Sequence, residues 1–504
     1  MVSAQSVSLS FKSSPISHTT MYTDSLDHLL PTLLTALDHV NHHLWTYVVT
    51  VLLAGCAVYF SIRTRGVQFH ALRELWRLFA GNKPDNTAGQ PTPVGGGKAP
   101  RHISSFQAFA VSLSSRVGTG NLAGVASAIF VGGPGAVFWM WVMALLGAST
   151  AFVESTLAQL YKRKGADSFY GGPAYYMHHG LGRRWMGVTF AVLITITFGM
   201  ANQTVQSNTL CDALSDSMGI DKMYVGWTLT LMTLAIIFGG IQRIARFSAL
   251  VVPFMAIGYI LISLYIIAVN YSAIPQMLKL IVTNAFGWHQ AAGGAVGMAI
   301  MEGVKRGLFS NEAGEGSAPN AAATATISHP VKQGMLQAVG VFADTLVICT
   351  CTAFTVLLSG LYDQGLDGIL LTKAAVSAEL GLAGDWFVTA AIFLFAYSTV
   401  IANYFYGETN IRFITGSSKA IFTFRIITGG MVLLGAAVSL QTAWSLVDIC
   451  MGLMTLFNLT AIMLLSNRAF GLLNDYMKQR RQGQDPTFRL EQHPDLEKGV
   501  EGWK

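Results

Sequence analysis

Eleven apolar runs separated by short polar loops constrain this chain more than any other feature. They lie near residues 44–62, 104–131, 135–161, 185–214, 223–241, 247–270, 289–304, 334–360, 385–407, 418–440 and 443–466. Most approach the roughly 20 apolar residues that a helix needs to cross a bilayer. Backbone at that depth finds no water, so its N–H and C=O groups must be satisfied within the helix. Composition agrees: of 504 residues only 12% are charged and 52% are hydrophobic, whereas soluble domains carry roughly a quarter charged residues. Glycine is about one residue in ten, 51 in all, as expected where helices pack backbone to backbone in lipid. The fold class expected is an all-α polytopic membrane protein of about eleven transmembrane helices.

The formal charge of +6 does not point to nucleic acid. Its positive residues sit in loops between apolar runs, and they alternate with neutral or acidic loops. Basic residues mark loops 63–102, 161–184, 239–247, 302–307, 328–334 and 410–419 and the tail with Lys478, Arg480 and Arg481. By the positive-inside rule the amino terminus is outside and the carboxyl terminus cytoplasmic. Residues 1–40 lack an early apolar core, so no cleavable signal is read and the first run stays as an anchor. The five cysteines lie in or beside apolar runs without clustered partners, so neither a metal site nor a disulfide framework is expected.

The organisation follows. Residues 1–43 form an extracytoplasmic segment and 44–62 an extra amino-terminal helix. Residues 63–102 form a basic cytoplasmic loop containing an amphipathic helix, "FHALRELWRLFAG", and a flexible linker, "KPDNTAGQPTPVGGGKAP". Two five-helix halves, 103–270 and 271–466, and a polar cytoplasmic tail, 467–504, complete the chain.

"VGTGNLAGVA", residues 117–126, approximates a dinucleotide-binding fingerprint but lacks its context. No β-branched strand precedes it, and no acid follows until Glu154. Read instead as an interruption of a membrane helix, it has the right chemistry. Gly118 and Gly120 tolerate unusual dihedrals, while Thr119 and Asn121 supply side-chain oxygens. The start of the resumed helix offers free N–H groups to a carboxylate, and the end of the first half offers carbonyls to a cation. A Gly120–Gly124 packing site is the plainer alternative. The run near 289–304, five spans later, carries Gly293 and Gly294. Two halves of opposite orientation, each opening on a glycine-interrupted run, fit an inverted-repeat secondary transporter.

"GTGNLAGVASAIFVGGPGAVFWMW", "GGPAYYM", "VKRGLFSNEAGEGSAPNAAATA" and "NYFYGETNIRF" together resemble the alanine/glycine:cation symporter family over roughly residues 60–470. The resemblance implies the leucine-transporter fold of five plus five inverted helices, here with one more helix at the amino terminus. It implies uptake of alanine, glycine and similar small neutral amino acids, including D-alanine and serine, coupled to sodium and in some members to protons. By the same resemblance Thr119, Gly120 and Asn121 hold the substrate carboxylate and the bend, and Gln206 faces the substrate. Gly293, Gly294 and Asn403 complete the expected pocket. Sodium is expected on the Ser398 and Thr399 hydroxyls and on carbonyls near Ser115 and Gly118.

Asp344 is a candidate gate or proton site, and Arg116 a candidate inner gate whose partner the sequence does not identify. Glu154 and Glu408 are expected to pair with Lys162 and Arg412. The segment after Lys305 reads as a cytoplasmic-side helical segment under the site, and "GGPAYYM" as a tight inner loop. No H-E-x-x-H, G-x-S-x-G or nucleophile–base pair points to an enzyme. The partners expected are an amino-acid substrate, co-transported sodium and the lipid bilayer, with no organic cofactor and no nucleic acid. The oligomeric state stays open. The localisation expected is a bacterial inner membrane. A proton-coupled symporter of the same fold, or a channel or sensor, remains an alternative.

Overall fold

The computed structural model describes residues 39–80, 103–165, 168–287, 293–496 and 499–503. The linker expected over 83–100 and most of the segment 1–43 lie outside them. Among the described residues the chain is almost entirely helical, with a single two-stranded ribbon, β1 (Arg163–Lys164) and β2 (Phe169–Tyr170). The helices are α1 (His39–Arg63), α2 (Val67–Ala80), α3 (Ser105–Arg116), α4 (Gly120–Gly132), α5 (Gly135–Leu160), α6 (Pro173–His179), α7 (Arg184–Met218), α8 (Lys222–Ile237), α9 (Ile241–Val269), α10 (Ile274–Ala285), α11 (Gly293–Asn311), α12 (Ala318–Ala322), α13 (Pro330–Ser359), α14 (Gly368–Leu380), α15 (Leu382–Ile414), α16 (Ser418–Gly435) and α17 (Leu440–Arg481).

Eight described helices, α1, α5, α7, α9, α13, α15, α16 and α17, are long and apolar enough to cross a membrane. The difference from the expected eleven has a physical origin. The run 104–131 is cut into α3 and α4 at Val117–Gly118, so neither half spans alone. The run 223–241 folds as the 16-residue α8. The run 289–304 begins outside the described residues and continues as α11, which carries Glu302, Lys305 and Arg306 within its length.

Local signals explain several boundaries. Ser104 and Gln107 form a reciprocal capping box that starts α3. The sharp turn from α1 into α2 uses Arg65 and Gly66 at positive φ. "GGPAYYM" folds as the helix α6, with Pro173 in its first turn, rather than as a loop.

The helix α5 is the axis of the bundle. It packs against α11 and α13, and also touches α1 and α12. On the other side α15 packs against α7, α3 and α9. The broken pair α3–α4 therefore runs between two layers. Outward-facing Leu250, Phe254, Ile257 and Leu261 on α9 are mostly exposed, the apolar exterior expected of a helix against lipid.

Candidate functional site

The first break is short. α3 ends at Arg116, Val117 leaves helical geometry with ψ 82°, and a widened π-helical turn, Gly120–Gly124, leads into the rest of α4. Two N–H groups at the break leave the regular helical ladder and meet amide oxygens, Gly118 N also donating to Arg116 O at 3.0 Å. Gly118 N donates to Asn121 Oδ1 at 2.9 Å, and Thr119 N donates to Gln206 Oε1 at 3.1 Å. Asn121, Gln206, Thr119 and Gly120 thus meet at one place, all buried. The Thr119 hydroxyl is buried with no hydrogen-bond partner among the described residues.

Glycine is required here for close approach as well as flexibility. A methyl group on Gly118 would collide with Thr399 Oγ1, and one on Gly120 would stand 2.9 Å from the Phe309 ring.

Hard oxygens gather on both sides of the break. On α15 the Thr399 hydroxyl lies 2.8 Å from Ser114 O, 3.4 Å from Val117 O and 3.0 Å from Phe395 O. On α13 the Asp344 carboxylate sits in a wide π-helical stretch, Phe342–Cys349, and accepts from three donors. These are Asn121 Nδ2 at 2.6 Å, the Ser310 hydroxyl at 2.6 Å and the Thr345 hydroxyl at 2.9 Å. Asn121 on α4, Ser310 on α11 and Asp344 on α13 therefore form one buried polar junction. Uncharged and carboxylate oxygens of this kind suit a hard monovalent cation.

The second break lies between α11 and α12. After Asn311 the chain unwinds through Glu312, Ala313, Gly314, Glu315, Gly316 and Ser317. Glu312, Gly314 and Gly316 have φ of 56°, 98° and 83°, where glycine is at ease and glutamate is not. The Glu154 carboxylate on α5 holds this unwound stretch by accepting from Gly314 N at 3.2 Å and Asn458 Nδ2 at 2.8 Å. Two interrupted helices thus face one polar junction inside a lipid-facing shell.

The family model described as the sodium:alanine symporter family matches residues 31–490. The chain belongs to that family. It is a multi-pass membrane transporter and not an enzyme. The probable sodium/glutamine symporter GlnT of Bacillus subtilis is 47% identical over 93% of this chain and 96% of its own. The amino-acid carrier protein AlsT of the same organism is 48% identical over 92% of this chain and 96% of its own. Among solved structures, MhsT in complex with L-phenylalanine superposes with a TM-score of 0.53 over 75% of this chain and 99% of that one, at 13% identity. The fold is the leucine-transporter fold.

Within this symporter fold several expected positions shift. The carbonyls that approach Thr399 belong to Ser114 and Val117, each one residue before Ser115 and Gly118. The Ser115 hydroxyl instead contacts Glu312 and lies 2.7 Å from Asn403 Oδ1, so Ser115 ties the first break to the second and Asn403 on α15 packs beside that tie. The Ser398 hydroxyl turns back to Phe395 O at 3.0 Å and faces Met255 sulfur. Only its carbonyl reaches the break, accepting from Ser114 Oγ at 2.9 Å. Neighbours on a helix point about 100° apart, so one of two adjacent hydroxyls faces away.

Gly293 and Gly294 stand in the first turn of α11, at the opposite end from the break; Gly294 is exposed, and a methyl added there would meet nothing within 4 Å. They are not brought to the junction. The expected cytoplasmic segment after Lys305 is instead the end of α11 and the second break itself. Sequence reasoning missed Ser310, which a hydroxyl immediately before "NEAGEGS" could have signalled.

The charged groups also depart from simple pairing. Glu408 pairs with Arg412 at 2.6 Å as expected. Glu154 does not pair with Lys162, whose ammonium donates to Gln159 Oε1 and Ala325 O. Arg116 is 1% exposed and donates through Nη1 to Gln337 O at 3.1 Å. Its Nε and Nη2 have no partner among the described residues, and neither oxygen of the buried Glu315 has a donor among them. Arg116 therefore lies buried between the two breaks without a carboxylate in contact. At the α11–α17 contact, Arg306 lies 4.0 Å over the Trp444 ring and bonds Asp448 at 3.2 Å, while Phe309 meets Trp444 edge-on at 4.6 Å. Phe309 and Trp444 wall the junction on the side of Gly120 and Gly124.

Proposed function

We propose that this transporter imports small neutral amino acids, with alanine and glycine as principal substrates, driven by an inward sodium gradient. D-alanine and serine fall in the same size class. The substrate carboxylate takes the N–H groups of Gly118 and Thr119, displacing the Asn121 and Gln206 oxygens that cap them. Sodium takes the Thr399 hydroxyl together with the Ser114 and Val117 carbonyls; the Asp344, Asn121 and Ser310 oxygens form a second place of suitable hardness. Coupling then arises because substrate and sodium both favour one state of the same break. The amino terminus is outside and the carboxyl terminus cytoplasmic, in a bacterial inner membrane. The observation that carries the reading is the first break itself, where a threonine hydroxyl, two carbonyl ends and two N–H groups converge in a water-poor interior.

The size class rests on the family and on the aromatic wall of Phe309 and Trp444. The relative named for glutamine makes that amino acid the competitor to include. The test is uptake of labelled alanine, glycine, serine and glutamine into proteoliposomes under imposed sodium or pH gradients. Alanine and glycine accumulate with the sodium gradient, and replacing sodium by potassium removes accumulation. Accumulation driven by the pH gradient alone would assign the coupling to protons. Thr399→Ala abolishes sodium stimulation, whereas Ser398→Ala, whose hydroxyl bonds its own helix and faces Met255 sulfur away from the break, keeps uptake within about threefold of wild type. Equal loss in both variants, or in neither, would contradict the ion site.

A further inference from the structure

Beyond α17, residues 484–496 and 499–503 fold back over one face of the bundle. Phe488 N donates to Ser328 O at 2.8 Å, and the Ser328 hydroxyl donates to Pro486 O at 3.0 Å. Lys332 pairs with Asp485 at 2.7 Å. These contacts seat the returning segment on the amino-terminal end of α13. Farther on, Trp503 Nε1 donates to Gln159 O at 2.9 Å at the end of α5, and the Lys162 ammonium lies between two rings, 4.3 Å from Trp503 and 4.4 Å from Phe169. Phe488 and Trp503 also meet edge to face at 5.3 Å. Both are buried, as is Leu496. The seat is dry: Lys162 and His329 beneath it are both buried.

What lies beneath gives the segment meaning. Gln159 Nε2 and Lys162 Nζ each donate to Ala325 O at 3.1 Å, just past α12. Ala325 pairs in a parallel bridge with Ile103, and Thr326 N donates to Ile103 O at 3.0 Å, immediately before α3. The returning segment thus bears on the residues that bear on the outer ends of both interrupted helices. Surface ion pairs such as Arg163–Glu501 contribute little to such a seat, but a buried indole hydrogen bond and a desolvated cation–π contact contribute measurably.

We propose that residues 485–496 and 499–503 form a strap that holds the ends of α3 and α12 together, and that its release accompanies opening of that face. The inference rests on the transporter reading above, and on its orientation for calling the face cytoplasmic. The strap acts as a brake, raising the population of the closed state without touching substrate.

The test uses the full chain in inside-out membrane vesicles with a reporter cysteine, Ala322→Cys, labelled by a membrane-impermeant maleimide. The chain without that cysteine supplies the background. Trp503→Ala is expected to raise the labelling rate roughly tenfold, the loss of one buried hydrogen bond and one cation–π contact. Labelling at the wild-type rate would overturn the strap. Should Trp503→Ala fail to accumulate in the membrane, Trp503→Phe carries the test. It keeps a ring but loses the N–H, so about a threefold rise is expected and an unchanged rate contradicts the proposal. Sodium-driven alanine uptake by the wild type in right-side-out vesicles from the same cells separates the two readings: its absence would sink the symporter assignment and leave the labelling result standing.

Discussion

Asn121→Ala is expected to lower the initial rate of alanine uptake roughly a hundredfold, with the protein still present in the membrane. The side chain serves two groups at once. Its oxygen accepts from Gly118 N, and its amide nitrogen reaches Asp344, Ser310 and Cys349. Truncation leaves the Gly118 N–H with only the strained Arg116 carbonyl at 3.0 Å and removes one of the three donors to a buried carboxylate, and lost partners of buried polar groups are costly. Uptake normalised to the amount of purified protein in proteoliposomes measures it. Wild-type rates would show that the junction between α4, α11 and α13 is packing alone.

Gly118→Ala is expected to abolish sodium-stimulated uptake. The added methyl would collide with Thr399 Oγ1 and stand 3.1 Å from Gln206 Oε1, so either the break or α15 must move. Tightly packed interiors accommodate such an insertion only by distortion. Gly294→Ala is the matched control, because its methyl has open space around it. It is expected to transport within about twofold of wild type, as surface changes usually do. Sodium-stimulated uptake that survived Gly118→Ala would place the ion elsewhere.

Sequence alone located the first break because its glycines interrupt an otherwise apolar run, and because Thr119 and Asn121 stand where a resumed helix needs oxygens. The second break escaped the same reasoning. "NEAGEGS" is polar, so a search for apolar windows ends before it and reads the glycine pair at 293–294 as the interruption. The better signal was two glycines, Gly314 and Gly316, alternating with acids in a segment too short to leave the membrane. Their positive φ values need glycine, and Glu154 reaches across from α5 to cap Gly314.

The choice between Ser398 and Thr399, and between carbonyls one residue apart, depends on helix rotation, which spacing does not determine. Arg116 was visible as an unusual intramembrane charge, but its contact is a carbonyl, Gln337 O, and a carbonyl leaves no trace in the side-chain pattern. The strap was legible only as a polar tail. Its aromatic anchors, Phe488 and Trp503, gain meaning from the dry seat that receives them.

The central claim is that one interruption of a membrane helix binds substrate and sodium together. Its most direct test is the affinity of the purified protein for alanine, measured with and without sodium at constant ionic strength. Binding is expected to tighten at least about tenfold at saturating sodium, as a coupling between two sites requires, and Thr399→Ala is expected to bind alanine with no such dependence. Equal affinity for alanine in sodium and in potassium, or a full sodium effect in Thr399→Ala, would contradict it.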